Sequence, residues 1–240
     1  MRAPAADRGT LEAPQVRAMF DRIAGFYDVM NSVMTVGLHH RWRSRAADLA
    51  AVGPGSSVLD VATGTGDLAL ELASRVSPGG TVTGSDFSEA MLERARAKAP
   101  ELTFEWGNAL QLPYPADSYD AVTVGFGARN FSDLDQGLRE MTRVVRPGGR
   151  VVILEMTTPA KPPLSTFFKV WFDRVVPVIG KLAGDPEAYA YLPDSVRRFP
   201  GPPALAERLC AAGLVEVRYI VTAGGIIALH VGEKPTPAGA

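Results

Sequence analysis

Between Ser57 and Arg75 the chain passes from a short apolar run, through a glycine turn, into an amphipathic segment. Few folds place those three pieces in that order. Val58-Leu59-Asp60-Val61 reads as a buried strand, Ala62–Gly66 as a tight turn and Asp67–Arg75 as a helix. Gly64 and Gly66 permit positive φ and let the backbone approach a ligand. The helix that follows aims its free amides at the same point. Asp86 closes the next apolar run, where a carboxylate can accept both hydroxyls of a ribose.

The remaining sequence fits this start. Thr81–Ser85, Leu102–Trp106, Tyr119–Val124 and Arg150–Glu155 read as strands. Between them lie helical stretches at Ser88–Ala99, with Ser88 as cap, and at Leu134–Val145, closed by Arg146-Pro147-Gly148-Gly149. Ala204–Ala212 reads as a further helix, and Leu214–Val221 and Ile226–Val231 as strands joined by the turn Thr222–Gly225. The class is therefore α/β: a mostly parallel sheet ending in an antiparallel hairpin, with helices on both faces. Residues 1–240 read as one domain with two additions. A helical N-terminal region, about 10–52, forms a lid: one helical pattern spans Thr10–Met34 and a second helix His40–Ala51. An insertion covers about 159–203, with a helix at Leu164–Val178 and a polar, Pro-rich stretch at Gly184–Pro203. Met1–Gly9 and Pro235–Ala240 read as frayed ends.

Composition narrows the function classes. Twenty-five basic residues against 26 acidic ones leave a formal charge of −1, which excludes the surplus of Lys and Arg that nucleic-acid binding demands. A single cysteine, Cys210, cannot form an internal disulfide and suits a reducing compartment. No apolar run is long enough to span a bilayer, and Met1–Leu11 lacks a secretion signal's apolar core. These features lead us to expect a cytoplasmic protein without a metal site.

Two cofactors compete for the glycine turn. Gly64-x-Gly66-x-x-Ala69 fits a loose dinucleotide fingerprint. A pyrophosphate would, however, sit on the helix N-terminus beside Asp67. S-adenosylmethionine, with a ribose for Asp86, a cationic end that Asp60 can orient and no phosphate, matches the acids better. The structural alternative is that Asp60 and Asp67 only cap the turn and the helix.

From about Met19 to Lys234 the chain resembles the ubiquinone/menaquinone biosynthesis C-methyltransferases, a Rossmann-like class I family dependent on S-adenosylmethionine. The resemblance is carried by Tyr27-Asp28-Val29-Met30-Asn31 with Thr35, Gly37, His39 and Trp42, and by the turn Asp60–Asp67. Asn108-Ala109 with Leu112-Pro113, Phe126–Asn130, Arg143–Glu155, Tyr189–Ser195 and Thr222–His230 continue it in order. Thr35 and Gly125 each stand where most relatives carry serine, and Thr63 where many carry glycine. The resemblance implies that Thr65, Asp86, Asn108 and Ala109 contact S-adenosylmethionine, beside Gly64 and Gly66 of the turn, which the turn itself marks as cofactor-binding. It implies methylation of a ring carbon of a prenylated quinol, demethylmenaquinol ahead of a ubiquinone-pathway benzoquinol or another small acceptor. A lipid acceptor in turn implies transient contact with the inner face of the membrane.

The acceptor must be the quinol, because only an electron-rich ring carbon attacks a sulfonium methyl group. Arg129, after the strand Tyr119–Val124, is the expected stabiliser of the phenolate-like oxygen, with Asn130 bonding a second oxygen; a structural pairing of Arg129 with Asp133 is the alternative. No base is assigned. His39, beside His40, reads more readily as a surface or capping residue, and Asp28 as a cap or a partner of Arg129. Phe167, Phe168, Trp171, Phe172, Val175 and Val176 form one helical stripe. It reads as core packing ahead of a wall for an isoprenoid tail or a membrane contact.

Overall fold

The computed structural model describes residues 13–25, 27–35, 37–176 and 186–237. The segment Met1–Gly9, Phe26, the end of the aromatic stripe at Val178 and the last three residues lie outside the described residues.

Seven strands form one sheet: β1 (Ser57–Val61), β2 (Thr81–Asp86), β3 (Thr103–Trp106), β4 (Tyr119–Gly125), β5 (Val145–Met156), β6 (Val215–Thr222) and β7 (Ile227–Glu233). Their order is β3-β2-β1-β4-β5-β7-β6. The first five run parallel, and β7 lies antiparallel to both β5 and β6. The sheet is apolar on both faces, as a doubly covered sheet requires. Val58, Ala121, Val152 and Leu154 pack on one side against α3 (Leu38–Leu49), α4 (Asp67–Val76) and α5 (Glu89–Lys98). Leu59, Val122, Val151 and Ile153 pack on the other against α6 (Leu134–Val144) and the helix at Pro202–Ala211. Strand alternation sends neighbouring residues to opposite cores.

Local signals start these helices. Ser88 Oγ accepts from the Met91 amide at 3.2 Å, and Asp133 Oδ1 from the Gln136 amide at 2.9 Å. A third apolar cluster joins Val16 and Met19 of α1 (Ala13–Ile23) to Phe168, Phe172, Val176, Tyr191 and Val196. It fastens the N-terminal helices to α7 (Leu164–Val170), with its continuing turn Trp171–Val175, and to α8 (Pro186–Arg198). Among the described residues no helix is long and apolar enough to cross a membrane.

Four boundaries differ from the sequence reading. The N-terminal helical pattern is two helices, α1 and α2 (Tyr27–Thr35), separated at Ala24-Gly25. α3 begins at Leu38, before His40, because Gly37 turns the chain with φ 73°. Arg146–Gly149, read as closing the helix before a strand that starts at Arg150, lies inside β5, at a register shift opposite Tyr119–Ala121. There a side chain on Gly149 would meet the Asp120 carbonyl at 2.6 Å. Finally, much of the Pro-rich stretch at 184–203 is helical: α8 carries Pro193 inside it, and α9 (Pro202–Ala211) opens on proline, which suits a first turn.

Candidate active site

Two cavities meet at the carboxyl ends of β1, β2 and β4. The first, about 330 Å³, lies over the glycine turn. Gly64 (φ 57°) faces it: a side chain there would find open space with only Tyr27 at 4.0 Å. Gly66 (φ 84°) instead packs underneath and does not line the cavity; a side chain on it would come within 2.9 Å of the Phe104 ring. Its lack of a side chain permits the close approach of the turn to β3 and α5.

The cavity floor is acidic. Asp60 is buried and accepts from the hydroxyls of Thr63 (2.7 Å) and Thr123 (2.6 Å). Asp86, also buried, accepts from the Gly64 amide (2.8 Å) and the Ser88 amide (2.9 Å). Burial pushes both carboxyl groups up to about 6, despite these hydrogen bonds. Asp67 goes the other way: burial opposes its charge, but Arg43 at 2.9 Å and Lys98 at 2.7 Å hold its carboxyl below the usual range. With Asp67 held by its two cations, the buried acids Asp60 and Asp86 remain to face the cavity, and they suit a ligand with a cationic centre. That chemistry fits S-adenosylmethionine and not a dinucleotide.

Thr65 is buried, and its hydroxyl donates to Asp28 at 2.6 Å and accepts from Lys98 at 3.2 Å. Lys98 also reaches Asp28 at 2.6 Å. Helix α2 is thus clasped down on the glycine turn, and Asp28 neither caps a helix nor touches Arg129. Asn108 and Ala109 line the far end of the cavity, with Phe87 and Trp106. The Asn108 side-chain oxygen accepts from the Leu110 amide at 3.0 Å, a local turn that sets its backbone.

The second cavity, about 540 Å³, is mostly apolar and lies under α2, α3 and α7. The aromatic stripe supplies Phe167, Phe168, Trp171 and Phe172 to its wall. Packing and cavity wall are therefore one feature, since Phe168 and Phe172 also belong to the third cluster. Arg129 and Asn130, in a short turn after β4, line it too. Arg129 pairs with Glu155 at 2.7 Å, both almost fully buried, and gives a further hydrogen bond to the Phe126 carbonyl. The acid is Glu155, at the end of β5, and not Asp133, which caps α6. Burial opposes the guanidinium charge, but Glu155 outweighs it and holds the group above its ordinary value. Two buried atoms here have no hydrogen-bond partner among the described residues: Arg129 Nε and Asn130 Oδ1. His39 is not a surface residue. It is 2% exposed and lines this second cavity. Phe20, Tyr27, Arg43, Phe126 and Asn130 line both cavities and form the partition between them.

The sequence profile of the ubiE/COQ5 methyltransferase family matches residues 8–234. The chain belongs to that family. A demethylmenaquinone methyltransferase of Thermus thermophilus is 46% identical over 222 residues, covering 90% of this chain and 100% of that protein. Another protein so named, from Deinococcus radiodurans, is 47% identical over 224 residues, covering 91% and 92%. Among solved structures, the [4+2]-cyclase SpnF superposes with a TM-score of 0.68 at 19% identity, covering 92% of this chain and 96% of that one. YcgJ of Bacillus subtilis does so with 0.60 at 21%, covering 82% and 99%. These structures share the fold, that of class I methyltransferases.

For this ubiE/COQ5 family member, sequence reasoning missed Arg43, Glu155, Phe87, Trp106 and Lys98. Two carried a usable signal. Arg43 follows His39 by one helical turn, and Glu155 ends the strand beside the one that delivers Arg129. Lys98 reaches Asp28 and Asp67 across 70 and 31 positions, and no local pattern announces such contacts.

Proposed function

We propose that this chain transfers the methyl group of S-adenosylmethionine to a ring carbon of a reduced, prenylated naphthoquinone, converting demethylmenaquinol to menaquinol. Family membership and the names of the relatives support the reaction. The carrying observation is the pair of abutting cavities, one acidic and one apolar, with unpartnered Arg129 Nε and Asn130 Oδ1 in the apolar one.

When bound, the donor supplies an electrophilic methyl group. Asp86 is placed to take its ribose, and Asn108 and Ala109 its adenine. Gly64 and Thr65 give it backbone, and Asp60 balances its positive centre. In the second cavity, Arg129 Nε donates to a phenolate-like ring oxygen, whose electron density drives the carbon's attack. Asn130 Oδ1 accepts from a quinol hydroxyl. Each would satisfy an otherwise orphaned buried group, which is worth about 1–3 kcal/mol apiece. Apolar walls exclude water and strengthen the charge interaction. Leu38 and Phe167 line the cavity yet stay exposed, at 43% and 57%, and with exposed Val170 they mark a mouth from which an isoprenoid tail can leave toward a membrane surface.

The test is to incubate the protein with S-adenosylmethionine and demethylmenaquinone, with and without a reductant, and weigh the quinones by mass spectrometry. Methylated product should form only with reductant. Arg129→Ala should bind S-adenosylhomocysteine normally and lose about 10²–10³ in kcat, the usual effect of removing an oxyanion donor. Wild-type turnover by that variant, or no turnover by the parent, would refute the reading.

A further inference from the structure

Arg129 and Asn130 hold the ring oxygens, but neither takes a proton from them. We propose that His39 does so: its Nε2 accepts the hydrogen of the quinol hydroxyl next to the ring carbon that captures the methyl group. This rests on the function proposed above.

The first ground is placement. His39 is buried in the wall of the apolar cavity that also holds Arg129 and Asn130. The second is its tautomer. Thr35 Oγ1 lies 2.6 Å from the Asn31 carbonyl, which can only accept, so the single hydroxyl hydrogen points there. The same oxygen lies 2.7 Å from His39 Nδ1. With its own hydrogen committed, the oxygen must accept, and Nδ1 must carry the ring hydrogen. Nε2 is then the unprotonated nitrogen, and no described residue hydrogen-bonds to it. An oxygen that fixes the tautomer from one side of the ring leaves the opposite nitrogen as the working base.

The surroundings keep that nitrogen free of a proton. Burial, then Arg43 and His40 on the same helix, lower the ring; Asp67 on α4 and Asp28 on α2 raise it less. The result is a value of about 4, so the base form dominates at neutral pH. The alternatives are occupied. Arg129 keeps its proton, and Glu155 is bound by the Arg129 side chain, the Arg129 amide and the Met156 amide. Asp60 and Asp86 line the other cavity.

So weak a base suffices because the hydroxyl changes character during the reaction. As the ring carbon bonds to the methyl group, the C–S bond breaks and its electron pair stays on sulfur. The ring loses electron density, and its hydroxyl becomes that of a protonated ketone, a far stronger acid than imidazolium. Nε2 takes that proton and leaves a neutral dienone. The ring hydrogen on the methylated carbon then departs to water. Its electron pair restores aromaticity, and the imidazolium returns its proton to the oxygen. One proton is released per turnover, and His39 is regenerated.

The experiment compares wild-type protein with His39→Gln, measuring kcat, KM for reduced demethylmenaquinone, and S-adenosylhomocysteine affinity by calorimetry from about pH 7 to about pH 9.5. A general base contributes about 10²–10⁴ in rate. We expect His39→Gln to lose about a hundredfold in kcat at neutral pH with affinity for S-adenosylhomocysteine unchanged. The deficit should shrink as pH rises, because a quinol that ionises in water no longer needs the base; a purely structural role gives no such recovery. A kcat within threefold of wild type, or a deficit constant with pH, overturns the proposal. If His39→Gln also loses S-adenosylhomocysteine, Thr35→Val decides, since it keeps the ring and removes only the tautomer lock. A roughly tenfold loss in kcat supports the assignment, and an unchanged kcat overturns it. An inert wild type refutes the reaction itself, whereas an active wild type with an unaffected variant refutes His39 alone.

Discussion

Replacing Asp60 with asparagine should make the protein more stable as the solution becomes more alkaline, relative to the parent. Asp60 is fully buried, and its carboxyl group titrates at about 6 in the fold against an ordinary value of 3.8. That gap, at about 1.4 kcal/mol per unit, is worth about 3 kcal/mol in total. The sign follows from linkage. Between the two values the folded chain holds a proton that the unfolded chain has lost, so stability falls as pH rises through this window. The penalty is absent below the lower value and complete above the upper one. About half of it, roughly 1.4 kcal/mol, develops between about pH 5 and about pH 8. Asparagine has the same shape and no charge. Of the hydroxyls of Thr63 and Thr123, which now donate to the two oxygens of Asp60, one can go on donating to the amide oxygen while the other rotates to accept from the amide nitrogen. The difference in unfolding free energy between Asp60→Asn and wild type should therefore move in the variant's favour by that amount across this range. In melting temperature that is roughly 3–6 °C for a chain of this size. Denaturant melts at the two pH values measure it. S-adenosylhomocysteine binding followed by calorimetry should change little, because that product has lost the positive centre, whereas S-adenosylmethionine should bind more weakly. A variant whose stability difference does not depend on pH would refute the reasoning, because it would mean the carboxylate is solvated.

Glu155→Ala should destabilise by about 3–5 kcal/mol in denaturant melts, since it strands the Arg129 guanidinium in a buried site without its countercharge. The same change should abolish quinol methylation, because Arg129 loses the partner that aims it. Asp28→Ala removes the hydrogen bond to Thr65 and the half-exposed ion pair with Lys98. Together these contribute about 1–2 kcal/mol, nearly all through the hydrogen bond from Thr65. The variant should bind S-adenosylhomocysteine about tenfold more weakly by calorimetry, with a melting temperature lower by roughly 2–8 °C.

The sheet was legible because its rules are local. Strand, glycine turn and helix occur in sequence order, and Asp60, Gly64 and Asp86 sit where those rules put them. What stayed hidden depends on distance in the chain. Arg129 was assigned correctly to a strand end, but its partner was sought nearby at Asp133, although β4 lies beside β5 and brings Glu155 to it. His39 read as a surface residue because His40 follows it and a polar helix start looks solvated. Its burial comes with the packing of α3 between α2 on one side and α4, β4 and β5 on the other, which no short-range pattern encodes. The break between α1 and α2 was missed for the opposite reason: apolar spacing continues across Gly25, and periodicity alone cannot register one glycine. Pro193 misled in the same way, because a proline within α8 reads as a breaker when taken alone.

Among the described residues, Phe20, Tyr27, Arg43, Phe126 and Asn130 are the ones shared by the walls of both chambers, and none of them offers a thiol or an amine to carry the group being transferred. Passage across that wall is then a single displacement, with no covalent relay on the polypeptide. A donor whose methyl carbon bears one each of protium, deuterium and tritium should accordingly yield a quinol in which the handedness of that carbon is reversed, and both reactants must be seated together before either product departs.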